Sequence, residues 1–544
     1  MGEMVGNVVD VLGRTINPAR ISWTGGRIFS VEPVTTTEAE GKPFLLPGFV
    51  DAHVHVESSM LPPAEFARLA SAHGTLATVS DPHEIANVCG LAGVEFMLEE
   101  AAKSPLHFCF GAPSCVPATA HETSGAELNA SDVAALLARP EIGYLAEVMN
   151  FPGVLAGDAG LLEKIRAARL LGKPVDGHSP GLRGEALARY VAAGISSDHE
   201  CSTLDEALEK CSLGMKILIR EGSAARNFSA LLPILGVAPA ECMFCSDDKH
   251  PDALLAGHIN RLVAAAVAAG FPVFDVLRIA CVHPVEHYRL PAAFLRPRDP
   301  ADFISVSNLT DFPVESAWIR GRCIARDGES LISERECPIL NAFQARTLCP
   351  ADFTVPARGS ILRTIDVQEG ELLTREGFVS LEESDRVLDS DTSRDILKIA
   401  VVNRYRATPP AVAFVRNTGL RRGAMASSVA HDSHNIVAIG TNDRDLCRAV
   451  NLLMESRGGC VAVDGDQSLL LPLPIAGLMS HLSGHEVAGR YSELTAFVRG
   501  MGSSLEAPFM TLSFLALLVI PELKLSDRGL FDGRSFEFVP LFPR

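Results

Sequence analysis

The sequence predicts an α/β fold: a (β/α)8 TIM-like barrel flanked by a small composite β-sandwich and followed by a C-terminal α+β domain. The barrel prediction depends on two observations. Apolar segments typical of strands alternate with amphipathic helical segments from residue 44 onward, and their repeat of about 30 residues fits a barrel better than an open sheet. Eight such strands precede residue 250, which is the number that closes this kind of barrel.

Four segments follow from these patterns. Residues 1–43 and 286–344 contain short strands joined by turns, and we expect them to pair into one β-sandwich. Residues 44–285 form the predicted barrel. Residues 345–544 form a separate α+β domain, with strands expected at 396–403, 411–415, 427–440 and 460–473 and helices at 445–455 and 485–500.

The barrel strands and helices are predicted from the period of their apolar residues. The strands are expected at 44–55, 76–81, 106–112, 143–148, 174–178, 195–199, 216–221 and 242–247. The helices between them are expected at 64–73, 91–102, 132–138, 161–171, 185–193, 204–212 and 228–235, and helices near 257–269 and 273–280 close the barrel.

Composition narrows the class of protein. The net charge of −18 argues against a nucleic-acid surface and favours a small or neutral substrate. No apolar run approaches the roughly 20 residues of a membrane span, and the first residues show no signal peptide. The 13 cysteines have no zinc-type CxxC pairing and are typical of reduced thiols, so we expect a cytoplasmic protein.

Two histidines end the first predicted barrel strand. His53 and His55 are separated by one residue, and residues i and i+2 of a strand point to the same side. Both imidazoles are therefore expected to project into one space, as metal ligands do. The motif alone is weak, so the prediction depends on ligands from other strands.

Other strand ends supply such groups, and active sites of these barrels lie at the carboxyl ends of the strands. The residues found there are His53, His55, Asp81, Glu147, His178, His199, Arg220, Glu221 and Asp247. Imidazole and carboxylate are the ligands of catalytic divalent metals. Taken singly, His178 could equally well be a histidine of a turn, and Glu147 a solvated acid at a strand end. The occurrence of several such residues at strand ends of one barrel favours a metal site. The number of ligands suggests two ions, with Glu147 placed to bridge them.

Long motifs along the chain resemble those of the adenine deaminase family in the amidohydrolase superfamily. They are PGFVDAHVHVESSM from residue 47, SDPHEIANVCG from 80, APSCVP from 112, AEVMNFPGV from 146, DGHSPGL from 176, SSDHE from 196, REGSAA from 220, CSDDKHP from 245 and SVAHDSHNIVAIGTND from 428. The resemblance covers nearly the whole chain. Ser179 and the segment 280–290 depart from the family pattern without touching a proposed ligand.

The resemblance implies a role for each group. His53 and His55 would bind the more buried ion, His178 and His199 the second, and Glu147 would bridge them. Asp247 would contact metal and carry protons, with Asp248 as the alternative acid. It also implies two divalent ions per subunit, with manganese favoured over iron or zinc, and a homodimer.

Further residues in the family motifs have less defined roles. They are expected to contact purine, transfer protons or hold accessory metal, and they are Glu57, Asp81, His83, Glu84, Arg220, Glu221, Asp248, His431, Asp432 and His434. The last three are equally compatible with a polar turn that stabilises the C-terminal domain.

The reaction that the resemblance implies is hydrolytic deamination of adenine to hypoxanthine and ammonia, with adenine and water as substrates. One alternative is an amidohydrolase acting on another aminopurine or on a cyclic amide. A second is a non-catalytic barrel that serves as a binding protein, although such a barrel would usually lack several ligands. The zinc deaminases that use a PCxxC motif are set aside because the sequence has none.

Overall fold

A computed structural model describes residues 1–543 except 224, 292, 345 and 383–386. Parallel strands form a barrel, as predicted, and within the described residues there are eight of them. They are Phe49–Val54, Thr75–Ser80, His107–Ala112, Ile142–Val148, Val175–Gly177, Ser197–Asp198, Lys216–Arg220 and Cys242–Cys245.

Two backbone contacts close the barrel where its ladders are short. Ser196 N donates to Val175 O over 2.8 Å, which joins the fifth and sixth strands. Asp247 N donates to His53 O over 2.9 Å, which joins the eighth strand to the first. The second contact fixes two strand ends that carry candidate ligands.

Helices surround the barrel because their apolar faces pack on the strands. They are Pro63–Ala72, His83–Cys89, Leu91–Ala102, Ala130–Leu137, Phe151–Ala156, Ala159–Leu170, Gly184–Ala193, Leu204–Ser212, Phe228–Leu231, Pro251–Ala256, Ile259–Ala268, Val273–Cys281 and His283–Tyr288. Short 3-10 turns occupy Val56–Ser59, Leu232–Gly236 and Pro239–Glu241.

The prediction of one continuous strand at 44–55 is wrong at its middle. The segment is divided into Phe44–Leu46, which belongs to the flanking sheet, and Phe49–Val54, which belongs to the barrel. Pro47 has no backbone N–H for a ladder. Gly48 packs so closely on Leu76 that a Cβ would lie 2.3 Å from its Cγ. The Pro-Gly pair therefore moves the chain from one sheet to the other.

Strands from both flanks of the barrel form one sheet, which confirms the composite β-unit. Its strands, in spatial order, are Glu329–Ser330, Arg322–Arg326, Val314–Ile319, Phe303–Val306, Phe44–Leu46, Gly2–Asp10, Thr15–Thr24 and Arg27–Pro33. The short helix Thr36–Ala39 precedes its junction with the barrel. The sheet folds over itself, because Trp23 lies 5.3 Å from Trp318 between ring centroids. The exact segment boundaries given above remain predictions.

The C-terminal segment is built around a second mixed sheet. Its strands, in spatial order, are Thr374–Ser380, Ile361–Val367, Ala411–Arg416, Ile396–Val402, Ile436–Gly440, Ala424–Ser427, Gly459–Asp464 and Gln467–Pro472. Smaller sheets contain Val355–Pro356, Val387–Leu388, Leu523–Ser526, Gly529–Asp532 and Glu537–Phe538. The 3-10 turn Pro350–Phe353 and the helices Asp443–Ser456, Gly484–Gly500 and Pro508–Phe514 pack around them.

Another predicted strand, at 427–440, is interrupted. Ala424–Ser427 and Ile436–Gly440 are antiparallel neighbours, and the buried loop between them carries His431, Asp432 and His434. The strand prediction was wrong here because the polar run 431–435 ends the apolar pattern of one strand before the next begins. Within the described residues, no helix combines the length and apolarity needed to cross a bilayer, and the cysteines are free thiols.

Candidate metal centre

Six side chains meet at the carboxyl end of the barrel, and all six are buried. We call them the barrel cluster: His53, His55, Glu147, His178, His199 and Asp247. The strands bring them together because each residue lies within the last two residues of its strand or within the two residues that follow it. The sequence therefore placed these residues at the correct strand ends.

The strand geometry explains why the two histidines at the end of the first strand share one direction. His53 and His55 point to the same side, with ring centroids 4.8 Å apart. His55 Nδ1 donates to the backbone oxygen of Asp81 over 3.2 Å. This bond fixes the tautomer and leaves Nε2 as the atom that faces the cluster, which is how ligating imidazoles are oriented.

Glu147 lies between the two halves of the barrel cluster. Its Oε1 is 3.2 Å from His55 Nε2 and 3.8 Å from His53 Nε2. Its Oε2 is 3.3 Å from His199 Nε2 and 2.7 Å from His178 Nδ1. The two carboxylate oxygens thus face different histidine pairs, as a bridging ligand does.

His53 provides a test of whether the cluster suits a cation. Both of its ring nitrogens are buried and have no hydrogen-bond partner among the described residues. Burial, reinforced by the neighbouring His199, holds its pKa well below the ordinary value, so the ring is neutral. A neutral buried imidazole facing carboxylates is a competent ligand, and an ion would satisfy the unpartnered nitrogen. The donor set therefore fits a divalent metal.

The two consecutive acids of the eighth strand face different ways. Asp247 Oδ1 lies 3.3 Å from His55 Nε2 and 3.7 Å from His53 Nε2. Asp248 instead accepts a hydrogen bond from Ser58 Oγ over 2.5 Å. The geometry favours Asp247 as the acid of the barrel cluster. Asp247 has φ of +54°, a left-handed conformation that turns the two side chains apart.

Arg220 holds the other oxygen of Asp247. Its Nη1 donates to Asp247 Oδ2 over 2.7 Å. Although burial opposes the effect, this guanidinium keeps the pKa of Asp247 well below its ordinary value. Arg220 is in turn held by both carboxylate oxygens of Glu200. We did not predict Glu200, but its position directly after His199 at a strand end was an available signal.

A second group of histidines and carboxylate lies at the rim of the barrel. We call Glu84, His431 and His434 the rim cluster. Glu84 Oε1 accepts from His431 Nδ1 over 2.5 Å, and Glu84 Oε2 accepts from His434 Nε2. Ala430 N donates to His434 Nδ1 over 3.2 Å, which leaves the proton of this ring on Nε2. The rim cluster is thus closed by direct hydrogen bonds between the barrel and the C-terminal segment.

The remaining predicted residues fall into three places. Asp81 binds His83, with 2.9 Å between Oδ2 and Nδ1, next to the barrel cluster. Asp432 lies beyond His83, with 3.9 Å between its Oδ1 and the imidazole Nε2. Glu57 accepts from Ile85 N over 3.2 Å and so supports the helix that follows the second strand.

Glu221 lies outside this constellation. Its carboxylate is 3.8 Å from Arg226 Nε, and the side chain is 36% exposed. Strand alternation explains the difference from Arg220, because consecutive residues point to opposite sides.

A small cavity joins the two clusters. Its volume is about 30 Å³, and its lining includes His55, Glu147, Asp247, His431 and Asp432. Another part of the cavity lining is apolar and comes from the C-terminal segment. We call it the apolar wall, and its residues are Leu372, Phe514, Leu517 and Val519. We did not predict these residues, since an apolar stripe is usually core.

Comparisons with known proteins identify the family of this chain. The family models described as "Amidohydrolase family" and "Adenine deaminase C-terminal domain" match residues 44–324 and 371–537. The chain is similar to proteins named adenine deaminase from Salinibacter ruber (55% identity over 99% of both chains), Sulfurovum sp. (52%, 99% of both) and Methanosarcina mazei (48%, 100% of both). The chain therefore belongs to the adenine deaminase family of amidohydrolases.

Proposed function

We propose that this protein is an enzyme that hydrolyses adenine to hypoxanthine and ammonia. The observation that carries the proposal is the barrel cluster, whose ligand atoms converge as a cation would require. Both ring nitrogens of His53 and Nε2 of His178 have no hydrogen-bond partner among the described residues. Full-length similarity to proteins named adenine deaminase supports the choice of substrate.

The barrel cluster would hold two divalent ions. His53, His55 and Asp247 would hold one, His178 and His199 the other, and Glu147 would bridge them. When bound, such ions supply Lewis-acid activation of water near neutral pH. These ligands suit manganese, iron and zinc alike, and we favour manganese.

The protein's own groups would orient the reaction and move protons. Arg220 holds Asp247 at Oδ2, so the carboxylate enters the reaction ionised and fixed in direction. Asp247 takes the first proton of the attacking water and passes it to the purine ring nitrogen, and it then takes the second proton of that water and passes it to the departing amine. The water oxygen forms the new bond to C6, the C6–N bond breaks, and ammonia leaves. The apolar wall excludes bulk water from this space.

An experiment on the whole protein tests this proposal. The protein is freed of metal, reconstituted with Mn(II), Fe(II) or Zn(II) in turn, and assayed for ammonia release from adenine. Rapid turnover with at least one metal is expected. The proposal would be contradicted if adenine were not deaminated with any of the three metals while another aminopurine or a cyclic amide was hydrolysed. That compound would then be the substrate.

The cellular setting is part of the same proposal. We propose a homodimer in the cytoplasm, consistent with the free thiols. The segments 1–43 and 286–344 would form the two parts of the sandwich. Residues 44–285 would form the catalytic barrel, and residues 345–544 would form the C-terminal domain.

A further inference from the structure

Two neighbouring side chains of the C-terminal segment reach the cavity with unused hydrogen-bonding atoms. His431 Nε2 and Asp432 Oδ2 are buried, and neither has a hydrogen-bond partner in the described part of the chain. Both residues line the cavity. Since buried polar atoms are nearly always paired in native proteins, these two atoms are available to a ligand that supplies both partners.

The two atoms have opposite hydrogen-bonding character. His431 uses Nδ1 to donate to Glu84. Although burial opposes the effect, Glu84 raises the pKa of His431 to about 9, so Nε2 also carries a proton and is a donor. Burial raises the pKa of Asp432 to about 6, which leaves its carboxylate ionised and an acceptor above that pH. A ligand that pairs both atoms therefore offers an acceptor beside an N–H or O–H donor.

The apolar wall determines the shape of that ligand. Phe514 stacks on the His431 ring, with centroids 4.8 Å apart and planes 17° apart. Leu517 and Val519 continue this surface over the cavity. A flat aromatic heterocycle matches a site that has an apolar face and polar edges.

We propose that His431 Nε2–H and Asp432 Oδ2 bind adjacent N3 and N9–H atoms of an unsubstituted purine, which makes the site selective for the free base. This inference rests on the proposed function, because it places C6 of the purine at the barrel cluster. N3 lies across the six-membered ring from C6, so the N3 and N9–H edge then faces the rim. A substituent on N9, such as a ribose, removes the proton that Asp432 accepts.

Binding requires the apolar wall to move. The cavity of about 30 Å³ has room for one or two waters and not for a purine. The wall has to withdraw by about 3.5 Å, the thickness of one aromatic ring in contact. The ring of Phe514 would then leave the imidazole of His431 and stack on the purine ring.

The test uses the metal-loaded protein, adenine and 9-methyladenine, with Asp432→Ala as the variant. The wild type should turn over adenine faster than 9-methyladenine. Asp432→Ala should lower kcat/KM for adenine by about 10- to 150-fold, the range that one charged hydrogen bond supplies. It should leave the value for 9-methyladenine unchanged, so that discrimination is lost. Asp464→Asn, which alters a surface pair with Arg422, is the control and should match the wild type.

Three outcomes would overturn the inference. An equal loss for both substrates in Asp432→Ala would assign the residue a structural role. Equal turnover of both substrates by the wild type would show that Asp432 does not bind the N9–H group of adenine. A lower metal content in Asp432→Ala would make the residue an ion ligand instead.

Failure of the proposed function is recognised separately by titrating adenine into the wild type and Asp432→Ala. If adenine binds in an Asp432-dependent way but is not deaminated, the proposed function fails and the contact stands. If adenine does not bind the wild type, both fail.

Discussion

The barrel cluster and the rim cluster contain the same kinds of side chain but differ in spacing. In the barrel cluster, most nitrogen–oxygen distances are 3.2–3.8 Å, and only His178 approaches Glu147 to 2.7 Å. In the rim cluster, Glu84 is hydrogen-bonded directly to two imidazoles. Spacing near 3.3 Å is that of ligands around one ion with bonds of about 2.1 Å. Direct contact leaves no such space.

The comparison shows that composition alone does not identify a metal site. The rim cluster also meets the residue types expected of an ion site, yet its hydrogen bonds satisfy Glu84 without one. It joins helix His83–Cys89 of the barrel to the loop that carries His431 and His434. We therefore propose that the barrel cluster holds the ions and that the rim cluster acts as a latch between the barrel and the C-terminal segment.

The largest expected effect comes from the acids of the barrel cluster. Glu147→Gln and Asp247→Asn should each lower adenine deamination by about 10³-fold or more, because they remove a bridging ligand and the proton carrier. Ammonia release measures the rate, and circular dichroism checks that the fold is retained. If either variant released ammonia at the wild-type rate, the proposal that this cluster carries out the reaction would be wrong.

The latch should affect stability rather than metal content. Glu84→Gln leaves a charged imidazole of His431 without its partner, which costs about 3–5 kcal/mol when the pair is buried. Denaturant unfolding measures this loss. Glu486→Gln, which alters an exposed pair with Arg490, is the matched control and should change the free energy of unfolding by less than about 1 kcal/mol. Metal content equal to the wild type is expected, and loss of an ion would contradict the latch.

The latch should also weaken in alkali. Glu84 raises the pKa of His431 to about 9 in the folded protein, above its unfolded value of about 6.5. Its contribution is therefore complete below about pH 6.5 and is lost as pH rises through about 9. This pKa difference of about 2.5 corresponds to at most about 3.4 kcal/mol.

The comparison of wild type with Glu84→Gln isolates this contribution from other titrating groups. The difference between their free energies of unfolding should be largest near pH 6 and should shrink toward pH 9.5. A difference that grows with pH would show that His431 is not the charged partner.

The smallest expected effect comes from the apolar wall. Phe514→Leu should raise KM for adenine by about 3- to 10-fold, since an aromatic pair contributes about 0.5–1.5 kcal/mol. Metal content should not change. Phe509→Leu is the control, because Phe509 lies on the same helix but packs on Tyr491. A similar rise in KM for both variants would indicate a general loss of packing.

Sequence reasoning found the barrel and its strand-end residues because strand alternation and the eightfold repeat are local patterns. It did not find the division at Pro47 and Gly48, where a strand changes sheets, because that depends on the position of Leu76. It also did not find Phe514 or Glu200, whose roles come from partners distant in the chain. The loop with His431 was recognised by motif, but its contact with Glu84, 347 residues away, required the folded structure.

The most direct test of the two clusters is the metal content of a matched pair of histidine variants. Wild type, His199→Gln and His434→Gln are reconstituted with Mn(II), freed of loose metal and analysed by mass spectrometry. We expect two ions per chain in the wild type and in His434→Gln, and fewer than two in His199→Gln. Loss of an ion from His434→Gln with both retained in His199→Gln would contradict the account.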